Sequence, residues 1–155
     1  MKVNLNDVIE AIEFENEMLN HYYNKNTGII IYKEDSKTAL YNAEDMHKID
    51  TLEDWERELV KDLYDLRENP ENYIKLPGKD EIDELKMMID FCNSFSDILL
   101  TEEISYEHDY RRKLHEVKNV IRHKGLINDW YDYREATERE IAIEWCRNNN
   151  IKYTE

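Results

Sequence analysis

Apolar residues recur every three or four positions over most of this chain, which is the period of an amphipathic helix. Only three glycines and two prolines interrupt the 155 residues, so most of the chain is expected to be helical. The apolar stripes predict five helices, at about residues 5–12, 51–69, 80–95, 110–124 and 128–148. Four of their starts are assigned to polar cap residues, namely Asn4 or Asn6, Thr51, Asp80 and Asn128.

Three stretches break the helical period and are typical of β-strands. Residues 21–23 and 29–33 are rich in β-branched and aromatic side chains, and they flank an Asn- and Gly-containing turn at residues 24–28, which predicts a hairpin. Residues 73–76 and 151–153 are candidates for one or two further short strands. The expected fold is therefore α+β and mainly helical, with about five helices on a small antiparallel sheet. At 155 residues, the chain is expected to form a single domain over 1–155.

The tryptophans and cysteines are expected in the core rather than in a site. Trp55, Trp130 and Trp145 each fall on an apolar stripe, where a tryptophan usually anchors the packing. Cys92 and Cys146 lie on different predicted helices, so they give neither a disulfide framework nor a metal-binding spacing.

Charge is distributed very unevenly along the sequence. The chain has a net charge of −15, yet residues 110–124 hold six Lys or Arg residues against one acid, a net of +5 that leaves −20 on the other 140 residues. The acidic total disfavours general binding to nucleic acid or anionic membranes. The sequence has no signal-peptide pattern and no apolar run long enough to span a bilayer, so we expect a soluble, cytoplasmic protein.

The basic helix is the candidate site. Arg111, His115, Lys118 and Arg122 are spaced i, i+4, i+7 and i+11, which aligns them in one row about 100° from the apolar stripe of the same helix. Such a row can contact anions, and the aromatic residues at the start of the next helix can border a groove beside it. The candidate binding residues are Arg111, Arg112, Lys113, His115, Lys118, Arg122, Lys124, Tyr131 and Tyr133. The alternative is structural, with the helix forming ion pairs with acidic helices such as residues 80–90.

Catalytic and metal-binding patterns are incomplete. His115-Glu116 begins a zinc motif whose second histidine is replaced by Asn119, and Glu44 with His47 would need a second such pair to resemble a di-iron site. The scattered glycines allow no P-loop and no dinucleotide fingerprint. We therefore predict no cofactor and no metal, and favour a protein without enzymatic activity.

The order of several short elements resembles uncharacterised protein family 0158, a bacterial family of unknown function. The resemblance rests on residues 5–13, Thr27-Gly28, Leu76-Pro77, Gly125-Leu126 and Trp130-Tyr131, and it covers nearly the whole chain. The family's Gly-Lys-Gly-Ala-Phe-Arg-Arg-Phe-Lys-Asp stretch aligns with residues 110–119, where it is degenerate because both glycines are absent. The resemblance implies no activity.

Three functions remain open from the sequence. The first is a small regulatory or protein-binding module that docks an unknown protein partner in the groove beside the basic helix. The second is nucleic-acid or nucleotide binding through the same cations, and the third is a hydrolase or transferase built from unrecognised Asp, Glu and His residues. Salt dependence separates the first two, because phosphate contacts release counterions.

Overall fold

A computed structural model describes residues 2–14, 18–78, 81–95 and 110–155 of the chain. By their internal contacts, the residues divide into two compact units, which we call unit 1 (Met1–Lys79 with Ile141–Glu155) and unit 2 (Asp80–Glu140). The single-domain organisation of residues 1–155 stays a prediction. Among the described residues, no helix is long and apolar enough to cross a membrane.

The fold is α+β and mainly helical, as predicted. The helices are α1 (Leu5–Phe14), α2 (Asp54–Glu68), α3 (Glu84–Asn93), α4 (Tyr110–His123) and α5 (Ile127–Asn148), with 3₁₀ helices at Ala43–Thr51 and Pro70–Asn72. The strands are β1 (Lys2–Asn4), β2 (Leu19–Asn24), β3 (Ile30–Glu34), β4 (Tyr73–Lys75) and β5 (Lys152–Thr154).

Unit 1 contains a three-stranded antiparallel sheet in the order β3-β2-β4. The predicted hairpin is confirmed, with Tyr22 opposite Ile31 and Gly28 at φ 74°, a left-handed conformation that suits glycine in a tight turn. The chain ends form a second, parallel pair in which Val3 of β1 lies opposite Tyr153 of β5. The sequence suggested β5 but gave no sign of β1, because three residues are too few to show a strand period.

The core of unit 1 confirms part of the predicted helix packing. On α1, Leu5, Val8 and Ile12 are buried. Trp145 is also buried, and its indole N–H donates to the Lys75 carbonyl at 3.0 Å. The prediction for Trp55 was wrong, since its side chain is 59% exposed.

Helix α2 begins later than predicted, and this shift explains the error at Trp55. Thr51 ends the preceding 3₁₀ helix, where its hydroxyl donates to the Lys48 carbonyl. Glu53 caps α2 instead, and its side chain forms a capping box with Glu56. Trp55 therefore stands in the first turn, while Val60, Leu63 and Leu66 of the later turns are buried.

A polar cluster joins α2 to the sheet. The Tyr73 hydroxyl donates to the Asp65 carboxylate at 2.6 Å and accepts from the Asn24 amide at 3.1 Å. The Asn69 amide donates to the other Asp65 oxygen at 2.7 Å. Burial, then the hydrogen bond to Asp65, raises the pKa of Tyr73 well above its ordinary value, so the phenol stays neutral.

Unit 2 is built around one cluster of apolar side chains from α3, α4 and the first turns of α5. Its buried members are Leu85, Met88, Phe91, Cys92, Val117, Ile121 and Trp130. Two predicted caps differ from the structure: Asp83 caps α3 by accepting from the Lys86 amide, and Asn128 lies inside α5. The predicted cap Asp80 lies outside the described residues.

Candidate functional site

The candidate site is centred on α4, whose sequence fixes which face it buries. Val117 and Ile121 are 4% and 0% exposed, and they pack in the unit 2 cluster with Trp130 of α5. These two residues belong to the predicted apolar stripe, so the packing turns the opposite side of α4 outward.

Both ends of α4 are held by hydrogen bonds. At the first turn, the Tyr110 hydroxyl donates to Asp83, the cap residue of α3, at 3.3 Å and accepts from the Leu85 amide at 3.3 Å. Burial is the main cause that raises the pKa of Tyr110. At the last turn, Gly125 adopts φ 72°, and the amides of Gly125 and Leu126 donate to the carbonyls of Arg122 and Ile121. This is a Schellman motif, as expected for a helix that ends in glycine.

Most basic residues of 110–124 lie at the surface. Arg111, Arg112, His115, Arg122 and Lys124 are exposed, whereas Lys113 and Lys118 are partly exposed. We call Arg111, His115, Lys118 and Arg122 the basic row. At 1.5 Å per residue, the row extends over about 16 Å of helix.

Few of these cations have carboxylate partners. Within the described residues, the only ion pair of an α4 lysine or arginine joins Arg112 to Glu116 on the same helix, at 3.1 Å. The ion pair to α3 comes from α5 instead, where Arg134 lies 3.4 Å from Glu84 of α3. Arg134 also lies 3.9 Å from Glu138 on its own helix. Among the described residues, no ion pair joins the basic row to α3.

Tyr131 lies beside the basic row. Its ring is 38% exposed, and the Lys118 ammonium lies 5.7 Å from the ring centroid. The Arg134 guanidinium lies 5.4 Å from the same centroid. Both distances are within the range of cation–π attraction, so Tyr131 holds two cations at the boundary between α4 and α5.

Tyr133 has a different environment from Tyr131. Its ring stacks on Trp130, with centroids 6.1 Å apart and planes at 30°, and it lies 5.3 Å from the ring of Phe91. Although 36% of the residue is exposed, one side of its ring is part of the core packing. The structure therefore brings Lys118 and Tyr131 together, and it places Tyr133 against the core aromatics.

The sequence analysis did not identify Arg134 as a residue of this site. The available signal was its position three residues after Tyr131, since residues at i and i+3 are neighbours on a helix surface. Arg134 connects the site to the fold because it also pairs with Glu84 and Glu138.

The two cysteines are buried, and His47 is hydrogen-bonded to the backbone. Cys92 and Cys146 are fully buried, and burial raises the pKa of both thiols, that of Cys146 to about 11. A His47 ring nitrogen is hydrogen-bonded to the backbone carbonyl of Glu44. In the described ranges, no three His, Cys, Asp or Glu side chains are grouped so as to hold a metal ion.

Comparison with known proteins identifies a family but no activity. The model of Uncharacterised protein family (UPF0158) matches residues 1–155, which confirms the resemblance seen in the sequence. No curated protein and no solved structure matches the chain.

Proposed function

We propose that this chain, which belongs to Uncharacterised protein family (UPF0158), is a small non-enzymatic protein-binding module. Its docking surface is the basic row with the groove beside it at Tyr131, and its partner presents an acidic segment. The observation that carries the proposal is that the arginines and the lysine of the row have no carboxylate within 4 Å among the described residues, although the chain as a whole is acidic.

The charge of the row determines the chemistry of the partner. Carboxylates on a partner would form charge-assisted hydrogen bonds with Arg111 and Arg122, which are stronger than bonds between neutral groups. An acidic helix of three turns has the same length as the row, about 16 Å. Carboxylates of this chain that lie farther than about 8 Å from such a partner are largely screened at physiological salt.

Two observations favour a protein partner over nucleic acid. Exposed bases bind to aromatic rings whose faces are open. Tyr131 already holds Lys118 and Arg134, and Tyr133 packs on Trp130 and Phe91. A long polyanion would also meet repulsion from the −20 carried by the rest of the chain.

The test is a fluorescence-anisotropy titration with two probes of equal charge. One is a labelled helical peptide with Glu and Leu on one face, and the other is a single-stranded oligonucleotide, each titrated at low and moderate salt. We expect the peptide to bind more tightly, and we expect Arg111→Glu/Arg122→Glu to weaken it by at least about tenfold, since each lost contact to a charged group is worth about 1.5–3 kcal/mol.

The matched control reverses two cations outside the row. Lys86 and Arg147 are exposed, so Lys86→Glu/Arg147→Glu changes the net charge by the same amount. The control variant should keep the affinity of the wild type. Tighter binding of the oligonucleotide, with log K falling by about 0.7 per phosphate contact against log salt, would instead support the nucleic-acid function. Equal losses in the two variants would refute docking at the basic row.

A further inference from the structure

A second candidate site lies in unit 1, between α1 and the β2–β3 hairpin. The cleft there has a volume of about 400 Å³, and its lining includes Asp7, Glu10 and Phe14 of α1 with Ile30 and Tyr32 of β3. We propose that this cleft binds an extended, basic segment of a partner protein, which pairs with the outer edge of β3. An apolar side chain of the segment occupies the cleft, and a Lys or Arg two residues along the segment, on the same face, contacts Asp7 and Glu10.

The two walls of the cleft follow from the local structure. On α1, Asp7, Glu10 and Phe14 are spaced i, i+3 and i+7, so they share one face of the helix. On the hairpin, Tyr32 lies opposite the buried His21. Alternation along β3 places Ile30 on the same face as Tyr32, because every second residue of a strand points to the same side.

The rim of the cleft is unusually apolar for a surface. Phe14 is 66% exposed, Ile29 is 59% exposed and Tyr32 is 43% exposed, and all three line the same cleft. Isolated exposed apolar residues are normal, whereas a group of them around a cavity is typical of a binding surface. The volume lies within the range of ligand pockets and admits an apolar side chain rather than a folded domain.

The charge at the cleft is negative. Asp7 and Glu10 are exposed, and neither has a Lys or Arg within 4 Å in the part of the chain that the structure describes. The described lining contains no Lys or Arg, and its remaining titratable groups are His21 and Tyr32. An occupant with a positive charge beside an apolar group therefore complements both features of the cleft.

The edge of β3 indicates that the occupant is an extended peptide. In the described sheet, β3 has β2 as its neighbour on one side only. The amide of Asn24 donates to the Ile29 carbonyl, and the amide of Asp35 donates to the Met18 carbonyl. Hydrogen-bonded pairs alternate along an antiparallel ladder, so the N–H and C=O groups of Ile30 and Tyr32 point away from β2.

Ile30 and Tyr32 thus contribute to the proposed site both through their side chains and through their backbone. Their side chains line the cleft, and their backbone groups lie on the outer edge of the sheet. An extended peptide that adds as a further strand satisfies those backbone groups and places alternate side chains toward the cleft. A second copy of this chain fits less well, since its own β3 carries Lys33 beside Glu34 and so has no net positive charge.

The test uses a labelled heptapeptide in an anisotropy titration at moderate salt, with Leu and Arg alternating at every second position and Thr between them, so that one face of the strand carries both Leu and Arg. We expect binding that weakens by at least about tenfold in Asp7→Asn/Glu10→Gln, through loss of contacts between charged groups. The matched control, Glu58→Gln/Glu71→Gln, removes two exposed carboxylates elsewhere in unit 1 and should bind like the wild type. Circular dichroism checks that all variants are folded.

Further probes test the strand pairing and separate this site from α4. Methylation of alternate peptide amides removes the donors that β-strand addition needs, so the methylated peptide should not bind. Arg111→Glu/Arg122→Glu should leave binding of the Arg/Leu peptide unchanged. The proposal is overturned if the peptide does not bind, if the methylated peptide binds equally, if both carboxylate variants behave alike, or if β3 forms dimers that exclude the peptide.

Discussion

Tyr73→Phe tests whether the polar cluster of unit 1 stabilises the fold. The substitution keeps the ring but removes the hydroxyl that donates to Asp65 at 2.6 Å and accepts from Asn24 at 3.1 Å. Tyr73 is 8% exposed, so water does not readily replace the lost partner. A hydrogen bond to a charged group is worth about 1.5–3 kcal/mol, and a neutral one about 0.5–1.5 kcal/mol.

We expect the free energy of unfolding to fall by about 2 kcal/mol, because Asp65 retains the bond from Asn69 and is itself partly exposed. Urea unfolding followed by tryptophan fluorescence measures this change, since two of the three tryptophans belong to unit 1. With a urea dependence of roughly 1–3 kcal/mol per molar, the midpoint should fall by about 1 M. Tyr153→Phe is the control, because Tyr153 forms no side-chain hydrogen bond with the described residues, and its change should stay within about 0.5 kcal/mol.

The pH dependence of the same pair of proteins gives a second readout. The pKa of Tyr73 is higher in the folded protein than the ordinary value of about 10, so its contribution to stability is complete below about pH 10 and decreases as the pH rises toward the folded pKa. The difference between wild type and Tyr73→Phe should therefore be constant near neutral pH and shrink above about pH 10. A midpoint unchanged by the substitution, or a difference that grows above that pH, would refute the reasoning.

Three other predictions concern the core, the end of α4 and the thiols. Trp130→Ala should lower the free energy of unfolding by about 3–5 kcal/mol because the fully buried ring leaves a cavity, and a loss below about 1 kcal/mol in urea unfolding would contradict this packing. Gly125→Ala should lower the melting temperature by about 2–4 °C, since a Cβ meets no atom within 4 Å but the residue adopts φ 72°; an unchanged melting temperature would show that the left-handed conformation carries no strain. Cys92 and Cys146 should react slowly with a thiol reagent near neutral pH and quickly in urea, because burial raises both pKa values and blocks access, and fast labelling of the native protein would contradict that burial.

The features that were predicted well from the sequence are encoded by residues that lie close together along the chain. The apolar spacing of α4 and the glycine at position 125 determine where that helix ends and which face it buries. The hairpin is likewise encoded by its own strands and by the turn at Gly28. These patterns align Arg111, His115, Lys118 and Arg122 in one row, but they leave open whether that row is exposed or paired within the protein.

The features that the sequence did not predict depend on contacts between distant residues or on exact helix starts. Val3 pairs with Tyr153 across nearly the whole chain, which no local pattern encodes. Trp55 fitted an apolar stripe, but a start three residues later than expected placed it in an exposed first turn. The cleft of unit 1 combines Phe14 with Tyr32, whose separate segments are unremarkable by themselves.

Recovery of partner proteins by the basic row is the most direct test of the central claim. Tagged wild-type protein, Arg111→Glu/Arg122→Glu and the control Lys86→Glu/Arg147→Glu are each incubated with lysate of the source cells, before and after nuclease treatment, and the retained proteins are quantified. We predict at least one protein that the wild type and the control retain, that the row variant loses, and that nuclease does not release. The account is contradicted if the row variant retains the same proteins as the wild type, or if every retained protein disappears after nuclease treatment.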